Sequence, residues 1–119
     1  MTHVGLGLRF REATYALATW YLHGKYFKQD LRKAAMLLRE AARSNIADAL
    51  YDLAVSYEEG KGVKKNLEKA CELYLRAALQ GDEQSTYEVG RCYYYGIGVS
   101  QDRKIAKVWL DRAESLGKR

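Results

Sequence analysis

Three windows of this chain, residues 13–48, 49–84 and 85–119, align without gaps at a fixed offset of 36 residues. The offset puts Tyr15, Tyr51 and Tyr87 in one column, and Tyr21, Tyr57 and Tyr93 in another. Gly24, Gly60 and Gly96 align, as do Ala34, Ala70 and Ala106, and Ala41, Ala77 and Ala113. A period between about 20 and 50 residues marks a solenoid, because each unit can bury its apolar face only against its neighbours.

Each window holds two apolar runs of helical period. In the second window Ala49, Leu50, Leu53, Ala54 and Tyr57 recur at spacings of three and four, which places them on one helix face. Gly60 and Gly62 interrupt that run, and Leu67, Ala70, Leu73, Tyr74, Ala77 and Ala78 form the next. The pattern predicts six helices, at about 11–23, 30–44, 47–59, 66–80, 83–95 and 102–116. No proline interrupts them.

The helix ends repeat as well. Asp30, Asn66 and Asp102 precede the second helix of each window, where a side-chain oxygen can accept from an unpaired backbone amide. Asn45, Gly81 and Gly117 follow that helix and are expected to take the left-handed conformation. Ala18, Ala54 and Gly90 are small enough to let helix axes approach, with the Tyr21, Tyr57 and Tyr93 rings filling the space beside them. If Tyr57 is buried, its truncation costs about 3–5 kcal/mol. At the far end Glu114 replaces Ala42 and Ala78. At the near end Val4, Leu6, Leu8 and Phe10 are expected to cover the first unit, without regular helix because of Gly5 and Gly7.

The 119 residues suit a single domain spanning 1–119, with residues 1–12 as an N-terminal capping segment ahead of the three repeats. A net charge of +5 is ordinary for a soluble domain. No run is long and apolar enough for a membrane span, and Met1–Phe10 lacks the features of a secretory leader, so a cytoplasmic location is expected unless a leader has been removed. Loop bases (Lys25, Lys28, Lys61, Lys64, Lys65) and the tail bases Lys118 and Arg119 could meet an acidic surface. The basic and aromatic stripe of a nucleic-acid reader is missing, so nucleic acid is an unlikely partner.

Reactive chemistry is not visible. His3 and His23 are the only histidines, and neither has a His or Cys at ligand spacing, so no metal is expected. Cys71 and Cys92 fall in different helices and read as reduced, at least partly buried residues. Nothing pairs a nucleophile with a base, and no phosphate loop follows a strand. No catalytic residue, cofactor or small-molecule substrate is expected.

The columns resemble the Sel1-like repeat, a relative of the tetratricopeptide repeat. The second window supplies Leu53, Tyr57, Gly60, Gly62, Val63, Lys69, Ala70, Tyr74, Arg76, Ala77, Ala78 and Gly81. The third supplies Val89, Gly90, Tyr93, Gly96, Gly98, Val99, Asp102, Ala106, Trp109 and Ala113. The first window diverges most: Tyr26 and Phe27 replace the loop Gly-Val, and Asn45 replaces the last glycine. The proline usual after Gly-Val is Lys28, Lys64 and Ser100 here. The resemblance implies an all-α fold: an α/α solenoid, a right-handed superhelix of three 36-residue helix–turn–helix repeats. It also implies a non-catalytic adaptor for a protein or peptide, most often in a bacterium. A dedicated inhibitor or immunity-type protein is the alternative. The cysteine pair that cysteine-rich members place inside each repeat is absent.

In such stacks the first helix of each unit lines the concave face. Taking Leu17, Ala18 and Tyr21 as its buried side puts Tyr15, Thr19, Leu22 and His23 toward the groove in the first unit. The second unit contributes Tyr51, Val55, Glu58 and Glu59, and the third Tyr87, Arg91, Tyr94 and Tyr95. The third set has the aromatic and guanidinium composition of interface hot spots. The Tyr15 column has a packing role as its alternative. Removing Arg91 and Tyr94 together is expected to abolish binding without lowering the melting temperature.

Overall fold

The computed structural model describes the backbone from Thr2 to Gly117 and side chains from Phe10 onward. Among the described residues it has six helices and no strand: α1 (Thr2–His23), α2 (Leu31–Arg43), α3 (Ala47–Glu59), α4 (Leu67–Ala78), α5 (Glu83–Tyr95) and α6 (Arg103–Gly117). They pack as three hairpins, α1 on α2, α3 on α4 and α5 on α6, and the hairpins stack through α2 on α3 and α4 on α5. The stack measures 44 × 35 × 21 Å.

One bond closes every hairpin in the same way. The amides of Asp30, Asn66 and Asp102 donate to the carbonyls of Tyr21, Tyr57 and Tyr93 at 2.9–3.0 Å. The predicted N-caps form: Asp30 Oδ1 accepts from Lys33 N, Asn66 Oδ1 from Lys69 N and Asp102 Oδ1 from Ile105 N, each at 3.0 Å. Asn45 and Gly81 are left-handed as expected, at φ 61° and 89°. Gly117 is not: it stays inside α6, so it does not act as a left-handed cap. The close approach at the small column is clearest at Gly90, where an added Cβ would lie 2.6 Å from Leu110 Cδ2.

Two loop glycines carry the stacking. Gly62 and Gly98 have φ of 74° and 72°, and a Cβ on either would fall 2.1 or 2.2 Å from the carbonyl oxygens of Leu31 and Leu67. The turn of one repeat therefore rests on the start of the second helix of the repeat before it. The first member of this column is Tyr26, and here the departure from glycine has a structural reason. No preceding helix among the described residues meets that turn, and the exposed Tyr26 ring packs edge-on against Trp20 with centroids 4.7 Å apart.

The core runs through the stack, with Leu38, Leu50, Leu53, Leu73, Tyr74 and Val89 buried among alanines, Cys71 and Cys92. Two expectations change. The column tyrosines Tyr21, Tyr57 and Tyr93 are only half-buried, and the fully buried ring is Tyr74. Tyr57 has its hydroxyl on Arg39 Nε at 3.2 Å, at the edge of the core, so the cost foreseen for its truncation applies better to Tyr74. Secondly, α1 is helical through Gly5 and Gly7. Extending a helix already anchored on α2 needs no new nucleus, so two glycines at about 1 kcal/mol each do not stop it. Phe10 is 75% exposed and covers nothing, and the side chains of Val4, Leu6 and Leu8 lie outside the described residues.

Candidate functional site

The groove residues named from the sequence separate into ties between repeats and residues open to solvent. The Tyr15 hydroxyl donates to Asp52 Oδ2 at 2.7 Å, and the Tyr51 hydroxyl donates to Glu88 Oε2 at 3.4 Å. Each bond spans 37 residues, one repeat plus one position. Tyr15 and Tyr51 thus stitch α1 to α3 and α3 to α5. Burial, then the neighbouring carboxylate, pushes both phenols above their ordinary pKa. Tyr87 has no hydroxyl partner among the described residues and is 51% exposed.

Arg91 is the centre of an ion cluster. Its Nη2 donates to both oxygens of Glu58, at 2.8 and 2.9 Å, and its Nε donates to Glu88 Oε1 at 2.6 Å. The Tyr74 hydroxyl donates to Glu58 Oε1 at 2.9 Å. Burial alone would raise the Glu58 pKa, but the bonds from Arg91 and Tyr74 and the guanidinium charge bring it below the usual carboxylate value. The Arg91 guanidinium, partly desolvated, is held firmly charged by the two carboxylates. Arg91 therefore ties α3 to α5, and its removal is expected to lower the melting temperature. Sequence reasoning missed Asp52 and Glu88 as the acceptors of the Tyr15 and Tyr51 hydroxyls, and Glu58 and Glu88 as the partners of Arg91. The available signal was a carboxylate one position after Tyr51 and Tyr87, at Asp52 and Glu88.

Most of the groove residues fall into two recesses. Tyr87, Arg91, Tyr94 and Tyr95 come together with Leu110 around one of about 150 Å³. The Tyr94 and Tyr95 rings meet edge-on at 4.9 Å, and the Arg103 guanidinium lies 4.4 Å over Tyr94. A second recess, of about 420 Å³, lies between the first two repeats and takes in Leu22, His23, Tyr51 and Val55. Thr19 is outside both, with its hydroxyl donating to Ala16 O at 2.7 Å. Glu59 is exposed and paired with Lys61 at 2.9 Å.

No group of three or more His, Cys, Asp or Glu among the described residues is placed to hold a metal ion. No described helix is long and apolar enough to cross a membrane. Cys71 of α4 and Cys92 of α5 are both buried in the core.

The Sel1 repeat family profile matches residues 11–46, 47–82 and 84–118. The chain belongs to the Sel1 repeat family. No curated protein matches it. Among solved structures, a Sel1 repeat protein from Oxalobacter formigenes aligns with a TM-score of 0.84 and 27% identity, over 90% of this chain and 44% of that one. The antigen c5321 of uropathogenic Escherichia coli, described as protective and as displaying an SLR fold, aligns with a TM-score of 0.90 and 30% identity. That match covers 93% of this chain and 24% of the antigen. Helicobacter pylori cysteine rich protein B aligns with a TM-score of 0.75 and 28% identity, over 92% and 84% of the two chains. The chain thus spans less than half the length of the first two of these relatives. Sel1 repeats generally mediate protein–protein interaction and are typically non-catalytic scaffolds.

Proposed function

We propose that this Sel1 repeat chain is a non-catalytic adaptor that binds a peptide or protein along the concave side of its stack, through residues of α1, α3 and α5. The observation that carries the reading is the convergence of Tyr87, Arg91, Tyr94 and Tyr95 on one recess. Tyr95 is 66% exposed, a large apolar ring left at the surface. Arg91 is fixed by Glu58 and Glu88, so it is presented with little side-chain entropy left to lose. Rigid aromatic rings beside an ordered guanidinium are the composition of interface hot spots.

The test is affinity capture with the wild-type chain and with a Tyr94→Ala, Tyr95→Ala double variant, which spares the Arg91 cluster. The expected result is loss of the captured partners with the helical circular-dichroism signal and melting temperature retained. Capture of the same partners at the same affinity by the double variant overturns the reading. Several partners would indicate a scaffold, and one tight complex a dedicated inhibitor.

A further inference from the structure

The recess between the first two repeats combines apolar walls with a partly buried carboxylate. Leu22, at the end of α1, Leu31, at the start of α2, and Val55 of α3 all line it, as does Asp52. Asp52 is partly buried, and burial is the main cause that raises its pKa above the ordinary aspartate value. One of its carboxylate oxygens, Oδ2, accepts from the Tyr15 hydroxyl at 2.7 Å. Among the described residues nothing donates to the other, Oδ1. The charged groups around it are few. Asp48 adds negative charge nearby and His23 opposes it weakly. Lys61 also lines the recess and is already paired with Glu59.

A carboxylate that has lost water gains from any cation that can reach it, provided the cation's own desolvation is offset elsewhere. Apolar walls offset it for a cation carried on an aliphatic stem, since the stem buries hydrocarbon while the head meets the charge. One open oxygen suits a point charge better than a planar fork, which needs two acceptors to bond bidentately. We infer that the recess lined by Leu22, Leu31, Val55 and Asp52 is a subsite for a lysine side chain of the bound peptide or protein. The inference rests on the adaptor reading, and it adds to that reading which residue the partner presents at the first two repeats.

The test is an NMR titration of the full chain with N-acetyl-lysine methylamide, alongside the norleucine and Nε-acetyl-lysine analogues, which keep a stem and lose the charge. The lysine compound is expected to shift the amide signals of Leu22, Val55 and Ser56 with a Kd of about 1–10 mM, the range open to so small a ligand. The neutral analogues should bind about tenfold more weakly. Asp52→Asn removes the charge and keeps an oxygen for Tyr15, and should weaken lysine binding about tenfold. Val55→Arg, which leaves the Asp52–Tyr15 bond alone, should block the recess with a tethered cation and give the same loss. Equal affinity for lysine and norleucine, or no shift at Leu22, Val55 and Ser56 with any of the three, overturns the inference. The adaptor reading is judged separately. A partner released by the Tyr94 and Tyr95 substitutions but held unchanged by Asp52→Asn keeps the groove and discards the lysine subsite.

Discussion

Replacing Arg91 by methionine isolates the cluster that joins α3 to α5. The substitution keeps the stem and removes three charge-assisted hydrogen bonds, two to Glu58 and one to Glu88. In a dry interior, leaving two carboxylates without their counter-ion costs about 3–5 kcal/mol. Here water still reaches the site, since the side chains of Arg91, Glu58 and Glu88 are 25%, 21% and 13% exposed. We expect a loss of about 2–3 kcal/mol at neutral pH, with hydrogen bonds to charged groups worth about 1.5–3 kcal/mol each before that discount. For a domain this size each kcal/mol moves Tm by about 4 °C, so the variant should melt about 8–12 °C lower. The pH dependence gives the sharper check. The folded-state pKa of Glu58 is depressed, so its contribution is present above the unfolded pKa of about 4.3 and lost as pH falls through the lower folded value. The gap between wild type and variant should therefore be wide at pH 7 and close progressively below about pH 4. Thermal melts followed by circular dichroism at pH 7, 5, 4 and 3 measure it. A variant that melts with the wild type at pH 7, or a gap that stays constant down to pH 3, refutes the assignment of Arg91 as an inter-repeat tie.

Three further outcomes are expected. Gly98→Ala should destabilise by at least about 3 kcal/mol, because a left-handed φ and contact with the Leu67 carbonyl oppose it together. Gly81→Ala should cost only about 1 kcal/mol, since its Cβ would meet nothing within 4 Å; equal denaturant midpoints for the two would contradict the stacking role. Ser85→Ala should raise stability by about 1 kcal/mol, because the Ser85 hydroxyl is buried without a partner among the described residues and the second repeat has Ala49 in its place. An urea midpoint at or below wild type would count against it. Cys92 should resist iodoacetamide at pH 8 in the folded chain and react on unfolding. The neighbouring Cys71 thiol and burial push the Cys92 thiol well above its ordinary pKa, and rapid labelling of Cys92 in native protein, read by mass, would disprove its burial.

Much of the architecture was legible because it is written locally. Asp30, Asn66 and Asp102 cap the helices that follow them through atoms three residues away, so their role needs no knowledge of the fold. Gly60 and Gly96 end their helices in the left-handed conformation for the same reason. Errors occurred where a neighbour distant in sequence decides. Gly5 and Gly7 argued against a helix that α1 nevertheless forms. Tyr57 shares its column with other rings, yet the ring that lies deepest is Tyr74, because α4 is covered by α3 and α5 on both sides.

The 36-residue recurrence by itself determined the helical hairpins, their caps and their stacking, because each unit repeats the same short-range chemistry. What only the tertiary structure decided is the use of residues that look alike in the sequence. Tyr15 and Tyr51 are ties because Asp52 and Glu88 stand opposite them one repeat on, while Tyr87 meets no such acceptor among the described residues and stays half-exposed. Arg91 is also a clamp within the stack, because two carboxylates, one of them 33 residues away, close on it. A column fixes what a side chain is; the charge and space supplied by the next repeat fix what it does.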